Sequence, residues 1–309
     1  MPMKAYTIPH RGFMCMSTFS RKKRNNILFM ISILSLIILP SISGAEKWKQ
    51  VWSDEFSVNG LPDTTLWNYE EGFIRNKEMQ YYTKFRLENA RVDEGFLVIE
   101  GRKEKYPNIR YNPNTKEWTT SRPETRYTSA SLTTRGKSEW KYGRIEVRAE
   151  LPHGKGVWPA IWTLGSHPGW PSCGEIDIME YVGHDPRRIH ATVHYGKGVS
   201  FHESKGGKKS FPEPVNGFHV YAIEWFPDKI DFFFDDEKYF TFITDMAGPG
   251  EYNPFRQPHY LLLNLALGGA WGGEINDDAL PQKFRIDYVR VYQSEEGSPG
   301  NIQQPDGKP

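Results

Sequence analysis

Three carboxylic acids fall within six residues in Gly174-Glu175-Ile176-Asp177-Ile178-Met179-Glu180-Tyr181-Val182-Gly183, a stretch that is otherwise apolar and β-prone. In a regular strand Glu175, Asp177 and Met179 would share one face, and Ile176, Ile178 and Glu180 the other. Either the acids or the isoleucines would then be badly buried. One extra residue, a β-bulge near Ile178-Met179, rephases Glu180 onto the face of Glu175 and Asp177. All three carboxylates then line an open face while the isoleucines enter the core. Such a set has a chemical use: two carboxyl groups about 5–5.5 Å apart can open a glycosidic bond with retention, one as nucleophile and one as acid/base. A third acid between them can hold a proton and keep the two pKa values apart. From the acids alone, a solvated strand or a calcium site explains the pattern equally well.

The aromatic context separates these readings. Trp158-Pro159-Ala160-Ile161-Trp162 puts two indoles four residues apart, hence on one face of a strand. Trp170 lies close by in sequence, and Trp271 sits inside Gly268-Gly269-Ala270-Trp271-Gly272-Gly273. Sugar rings stack their C–H faces on exposed aromatic planes, so tryptophans near paired carboxylates favour a polysaccharide cleft. Trp52, Trp140 and Trp225 lie in apolar runs and are expected in the core.

The elements that must hold these residues read as short strands. Phe96 to Glu100, Arg144 to Arg148, Val220 to Trp225, Ile230 to Phe234, Tyr260 to Leu267 and Phe284 to Tyr292 alternate or run apolar over strand lengths. Arg144 to Arg148 and Arg285 to Tyr292 alternate strictly. Turn formers stand between them: Gly154, Gly156, Pro168-Gly169-Trp170-Pro171, Gly206-Gly207, Gly248-Pro249-Gly250 and Gly268-Gly269. No long period of 3.6 appears in the body. The expected fold is all-β, a sandwich of two antiparallel sheets.

Charge divides the chain of 309 residues. Its 39 basic and 38 acidic side chains nearly cancel, yet six of the basic ones and none of the acids precede residue 46. The rest is mildly acidic, which argues against a nucleic-acid partner. Arg21-Lys22-Lys23-Arg24, the apolar run Ile27 to Leu39 and the small residues Ser43-Gly44-Ala45 have the parts of a secretory signal, cleaved after Ala45. Met14 or Met16 would give a more usual start. The alternative is a membrane anchor, but the run is shorter than the roughly 20 residues a span needs, so no stable anchor is expected. The body is then residues 46–293, followed by a polar, disordered tail over 294–309. The expected location is secreted or periplasmic. Loss of Cys15 with the signal leaves Cys173 alone, so no internal disulfide forms.

From Trp52-Ser53-Asp54-Glu55-Phe56 to Asp287-Tyr288-Val289-Arg290-Val291-Tyr292-Gln293, and most specifically over Trp170-Pro171 and Gly174 to Gly183, the chain resembles glycoside hydrolase family 16 in its bacterial laminarinase (endo-1,3-β-glucanase) form. The pattern Glu-x-Asp-x-x-Glu, with Met179 as the extra residue, resembles the bulged type. The resemblance implies a β-jelly roll with a concave cleft and a double displacement with retention. Carried over, Glu175 is the nucleophile, Glu180 the acid/base and Asp177 the assistant between them. His194 matches a cleft histidine, Trp158 and Trp162 the platform at the cleavage point, and Asn264 the cleft floor. Asn68, Arg75 and Glu78 match loops that hold the sugars on the glycone side, and Trp271 is a further aromatic contact. No cofactor is implied for catalysis. A structural calcium is implied on the convex face, with ligands at Glu55, Gly95 (through its carbonyl) and Asp287, an oxygen set that suits Ca²⁺. The implied substrate is β-1,3-glucan, cut by a monomer. Lichenase, agarase or carrageenase activity is the alternative within the family, and a non-catalytic glucan-binding jelly roll the alternative outside catalysis.

Overall fold

The structure, a computed structural model, describes residues 48–295 apart from residue 168. The signal-like segment and nearly all of the polar tail lie outside the described residues. The chain divides after Gly44, one residue before the expected cleavage point, and every described residue lies in the second unit. Of the expected tail, Ser294 closes the last strand instead.

Two sheets are stacked on each other. The larger runs, in spatial order, through Glu237–Ile243, Lys229–Phe234, Phe218–Trp225, Gly143–Glu150, Gln282–Ser294, Phe96–Pro107, Glu124–Ser129 and Gln80–Tyr82, with Trp48–Asp54 and Ala90–Asp93 paired alongside. The smaller has seven strands in the order His202–Ser210, Arg188–Gly196, Glu175–Glu180, Val157–Gly165, His259–Leu267, Ser131–Thr133 and Asn68–Tyr69. Among the described strands, only Gln80–Tyr82 with Glu124–Ser129 is a parallel pair. Each strand expected from the sequence is present, some of them longer at the ends.

The core fills the space between the sheets. Ile161, Ile176, Ile178, Leu263 and Leu265 from the smaller sheet join Ile145, Val147, Ile223, Phe284 and Val291 from the larger in one buried cluster. Val157–Gly165 and His259–Leu267 are buried on both faces, because their outward residues are covered by one another: Ala160, Trp162, Tyr260 and Leu262 form a second cluster, and Trp158, Val182 and Ala266 a third. That second surface carries the site. Replacing Ile176 with Ala empties a fully buried position and is expected to cost about 2–5 kcal/mol. Urea denaturation followed by tryptophan fluorescence measures it, and a loss well under 1 kcal/mol would mean that this face is not core.

Two expectations needed correction. Gly206-Gly207, expected as a turn, lies inside the strand His202–Ser210. A Cβ on Gly207 would stand 2.5 Å from Phe240, so glycine lets the edge strand press against that ring. The alternation of Arg285 to Tyr292 is also broken. The register shifts between Ile286 and Tyr288, which puts Ile286, Val289 and Val291 all in the core. An inserted residue trades the strict alternation for three buried aliphatic side chains.

Candidate active site

The acid-bearing strand Glu175–Glu180 lies between Val157–Gly165 and Arg188–Gly196. Its register slips where the sequence required it: Asp177 faces Trp162, but Met179 faces Ile161, so Ile178 is the extra residue. Ile176, Ile178 and Met179 are wholly buried, and Glu175, Asp177 and Glu180 line one recess with Trp158, Trp162, Arg75 and Asn264. The bulge therefore resolves the conflict between three acids and three apolar side chains on one short strand.

Each acid has a different environment. The Glu175 carboxylate accepts a hydrogen bond from Trp170 Nε1 at 2.7 Å, on the open side of the recess. Asp177 is 3% exposed. Burial pushes its pKa well above the usual carboxylate range, and the charge of Glu175 and a hydrogen bond shared with it push the same way. Its Oδ2 has no hydrogen-bond partner, although His194 Nε2 stands 3.2 Å away without the alignment of a hydrogen bond. Burial also raises Glu180 well above its ordinary value, helped by Asp177 and Glu175. A hydrogen bond from Trp158 Nε1 at 3.1 Å and the proximity of His194 act against that rise without reversing it. Asp177 and Glu180 thus tend to keep their protons, while Glu175 accepts the Trp170 hydrogen bond.

The Trp158 bond can be tested by pH. Trp158→Phe keeps an aromatic face and removes the donor that favours ionised Glu180. The alkaline limb of the activity profile, where the acid loses its proton, is expected to move to higher pH. An unmoved limb would mean that Glu180 does not set it.

Behind the recess a chain of hydrogen bonds fixes the floor. Trp162 Nε1 donates to Asn264 Oδ1 at 2.7 Å, and Asn264 Nδ2 donates to the Tyr82 hydroxyl at 3.1 Å. The Tyr82 hydroxyl donates to Glu78 at 3.1 Å, and Gln80 Nε2 donates to the same carboxylate at 2.7 Å. Gln80 Oε1 in turn accepts from the Leu267 amide at 2.7 Å. Glu78 is 2% exposed and surrounded by donors. It borders the recess, but its structural position is that of an anchor for Tyr82, Asn264 and Trp162 rather than a free contact for sugar. Burial raises its pKa, and Arg75 and the donors pull against that.

Arg75 reaches the recess from its loop and lies over the Trp162 ring, 4.9 Å from the centroid. Its Nη2 is paired with both Glu70 oxygens, and Ser131 Oγ donates to Glu70 at 2.6 Å. Its Nη1 is buried without a partner. Burial disfavours the Arg75 charge, but Glu70, Tyr82 and Glu78 more than offset that, so its pKa stands above the ordinary arginine value. Trp271, on the short helical turn Gly269–Gly272, meets Trp158 edge to face at 5.5 Å. Asn68 is not in this recess. It donates to the Arg135 carbonyl at 2.8 Å and borders a separate groove of about 380 Å³ with Glu70, Lys84, Arg135 and Tyr260.

The residues matched to calcium lie elsewhere, on and beside the larger sheet. Both Glu55 oxygens accept from Arg290, at 2.9 and 2.8 Å, and Asp287 pairs with Arg148 at 2.5 Å. Gly95 occupies a turn with φ 81°. With each carboxylate compensated by a guanidinium, this donor set does not fit a cation as it stands.

Several site residues carried no spacing signal. Tyr82 and Glu70 reach the site from other parts of the fold, and only pairing brings them together. His190 is register partner to Glu180 and packs edge to face on Trp271 at 4.9 Å. Trp170 was visible as part of a Trp-Pro lead-in, but not as the donor to Glu175.

An all-β sandwich whose outer face holds two glutamates around an aspartate, over a tryptophan floor, is built like enzymes that cut polysaccharide with a pair of carboxyl groups. The profile of "Glycosyl hydrolases family 16" matches residues 80–290. The chain belongs to this family, and it is a glycoside hydrolase with a β-jelly-roll fold. It is 42% identical over 291 residues to the Beta-glucanase of Rhodothermus marinus, covering 88% of this chain and 96% of that protein. It is 35% identical to Glucan endo-1,3-beta-glucosidase A1 of Niallia circulans over 83% of this chain, but spans only 39% of that longer protein. Among solved structures, LamA of Zobellia galactanivorans in complex with laminaritriose and laminaritetraose superposes with a TM-score of 0.68 at 37% identity, covering 81% of this chain and 100% of that one.

Proposed function

We propose that the chain is an endo-acting hydrolase of β-1,3-glucan that works by double displacement with retention. The observation that carries this reading is the bulge at Ile178, which turns Glu175, Asp177 and Glu180 to one tryptophan-floored recess. A glucan lies across the recess with a sugar ring against Trp158 or Trp162. Protonated Glu180 gives its proton to the glycosidic oxygen as the bond to C1 breaks, and the Glu175 carboxylate takes C1 as a covalent ester. Glu180, now ionised, accepts a proton from water, which attacks C1 from the face the first sugar left as the ester bond breaks and frees the Glu175 carboxylate. Two inversions give net retention. Asp177 holds a proton against Glu175 in the resting state, and burial, together with the negative charge that Asp177 and Glu175 share, keeps Glu180 protonated between turnovers. The names of the relatives, two β-glucan hydrolases and a laminarin-oligosaccharide complex, support the choice of glucan.

The test is a digest of laminarin, lichenan, agarose and carrageenan with products sized, and the first anomer read by NMR. A ladder of laminarin oligosaccharides released as the β-anomer is expected. Activity on agarose or carrageenan alone would overturn the substrate, and an initial α-anomer would overturn the mechanism. The signal-like segment supports action outside the cytoplasm, and fractionation of the producing cells checks the location. A structural calcium would have to displace Arg290 from Glu55 or share Asp287 with Arg148. Denaturation in calcium and in EDTA checks this: equal midpoints leave the arginine pairs in place, and a higher midpoint in calcium shows the exchange.

A further inference from the structure

His202, on the edge strand His202–Ser210, has no part in the mechanism above, yet it touches both groups that meet the central acids. Its Nε2 lies 2.8 Å from His194 Nδ1, and the two imidazoles are stacked, with centroids 5.0 Å apart and planes at 22°. Its other neighbour is Trp170, 4.6 Å between centroids, the same indole that donates to Glu175. His194 presents its remaining nitrogen to Asp177 Oδ2, a buried oxygen that has no hydrogen-bond partner. The edge strand thus reaches Asp177 through one residue and Glu175 through the other.

We propose that His202 is a positioning residue of the catalytic centre: its hydrogen bond to His194 decides whether a proton or a lone pair of His194 meets Asp177, and its ring braces Trp170 against Glu175. This rests on the reading of Glu175 and Asp177 given above.

The physical reason is tautomer coupling. A neutral imidazole has one N–H and one bare nitrogen. When His202 Nε2–H donates, His194 Nδ1 is the acceptor, so the His194 proton sits on Nε2 and faces the orphaned Asp177 oxygen. When His202 accepts instead, His194 turns a lone pair to that oxygen, and two acceptors oppose each other in a buried place. The first arrangement sets a donor, rather than a second acceptor, beside that oxygen. The charged or titrating groups facing His202 are His194 on the adjacent strand and Glu175 on the strand beyond it. Burial and His194 hold His202 toward its neutral form, with Glu175 opposing, so its ring can serve as a fixed donor near neutrality.

Two variants separate the two contacts. His202→Phe keeps a ring against Trp170 and loses the donor, whereas His202→Gln keeps an amide donor and loses the ring. In the proposal, His202→Phe lowers kcat on laminarin by about tenfold, leaves KM within about twofold, and alters the pH profile of kcat, while His202→Gln restores most of kcat. Thermal midpoints near that of the parent exclude misfolding. The imidazole nitrogen shifts of His194, read by NMR without substrate, are expected to report a single Nε2–H tautomer in the parent and in His202→Gln, and its loss in His202→Phe. Parent-like kcat and pH profile in His202→Phe, equal losses in the two variants, or an unchanged His194 tautomer in His202→Phe would each overturn the assignment. The NMR result does not depend on which glucan is cut, so failure here is distinguishable from failure of the proposed substrate or mechanism.

Discussion

Glu175→Gln is expected to lower the hydrolysis of laminarin by about 10³–10⁵-fold, or about 4–7 kcal/mol of transition-state stabilisation, while glucan binding survives. Gln has the same size and can still accept from Trp170 Nε1, so the floor and the indole stay in place. It cannot form the ester at C1, and in a retaining mechanism nothing else in the recess takes that role. Glu180 is engaged by Trp158, and Asp177 is buried and disposed to hold a proton. Initial rates on laminarin together with affinity electrophoresis in laminarin gels read the two halves of the prediction. Full residual activity would remove Glu175 as the nucleophile and favour a glucan-binding jelly roll in which the acids have no chemistry. In Glu175→Gly, added azide is expected to restore turnover of an aryl glucoside and release the azide product in the inverted configuration. That outcome separates a lost nucleophile from a lost acid.

Glu180→Gln is expected to have the second largest effect, and its size depends on the leaving group. With laminarin, where the departing sugar needs a proton, kcat falls by about 10²–10⁴-fold, the usual contribution of general acid–base catalysis. With a dinitrophenyl glucoside, whose leaving group needs none, the first step is retained and an intermediate accumulates as a burst. The alkaline limb of the parent profile disappears with the group that produces it. Stability should move the other way. Asp177 and Glu180 both bind protons more tightly in the folded chain. Between the ordinary carboxylate range and those raised values the native state therefore holds more protons than the unfolded one, and stability falls as pH rises through that window. Removing the Glu180 charge is expected to raise the thermal midpoint near neutral pH, with the difference fading below the ordinary carboxylate range. A variant less stable at every pH would mean that the carboxyl group is structural.

How legible the site was depended on how local its geometry is. The placement of Glu175, Asp177 and Glu180 could be worked out because strand alternation is a short-range rule, and three acids interleaved with three apolar residues can be reconciled in few ways. The extra residue fell at Ile178, within the stretch that alternation pointed to but one residue before the Met179 of the family pattern. Trp158 and Trp162 share a face for the same reason. Glu78 was expected to hold sugar because the family resemblance put it in a glycone-side loop, yet the fold buries it under Tyr82 and Gln80. Asn68 sat close to Arg75 and Glu78 in sequence, but it pairs at the far edge of the seven-stranded sheet and borders another groove. Gly206-Gly207 read as a turn because glycine is usually a breaker; close packing on Phe240 gave it another use.

By itself the sequence determined the all-β class, the acid-bearing strand with its bulge, and the core role of Trp140 and Trp225. All of these follow from patterns spanning a few residues, in which a side chain's face is set by counting. The tertiary structure alone decided which distant groups complete the site. Tyr82 reaches Asn264 from 182 positions earlier in the chain, and His202 meets His194 across a hairpin. The arginine pairs of Glu55 and Asp287 likewise join residues 235 and 139 positions apart. Hydrogen bonds and pKa values depend on distance and burial in space, and strand order, which no local count contains, sets both.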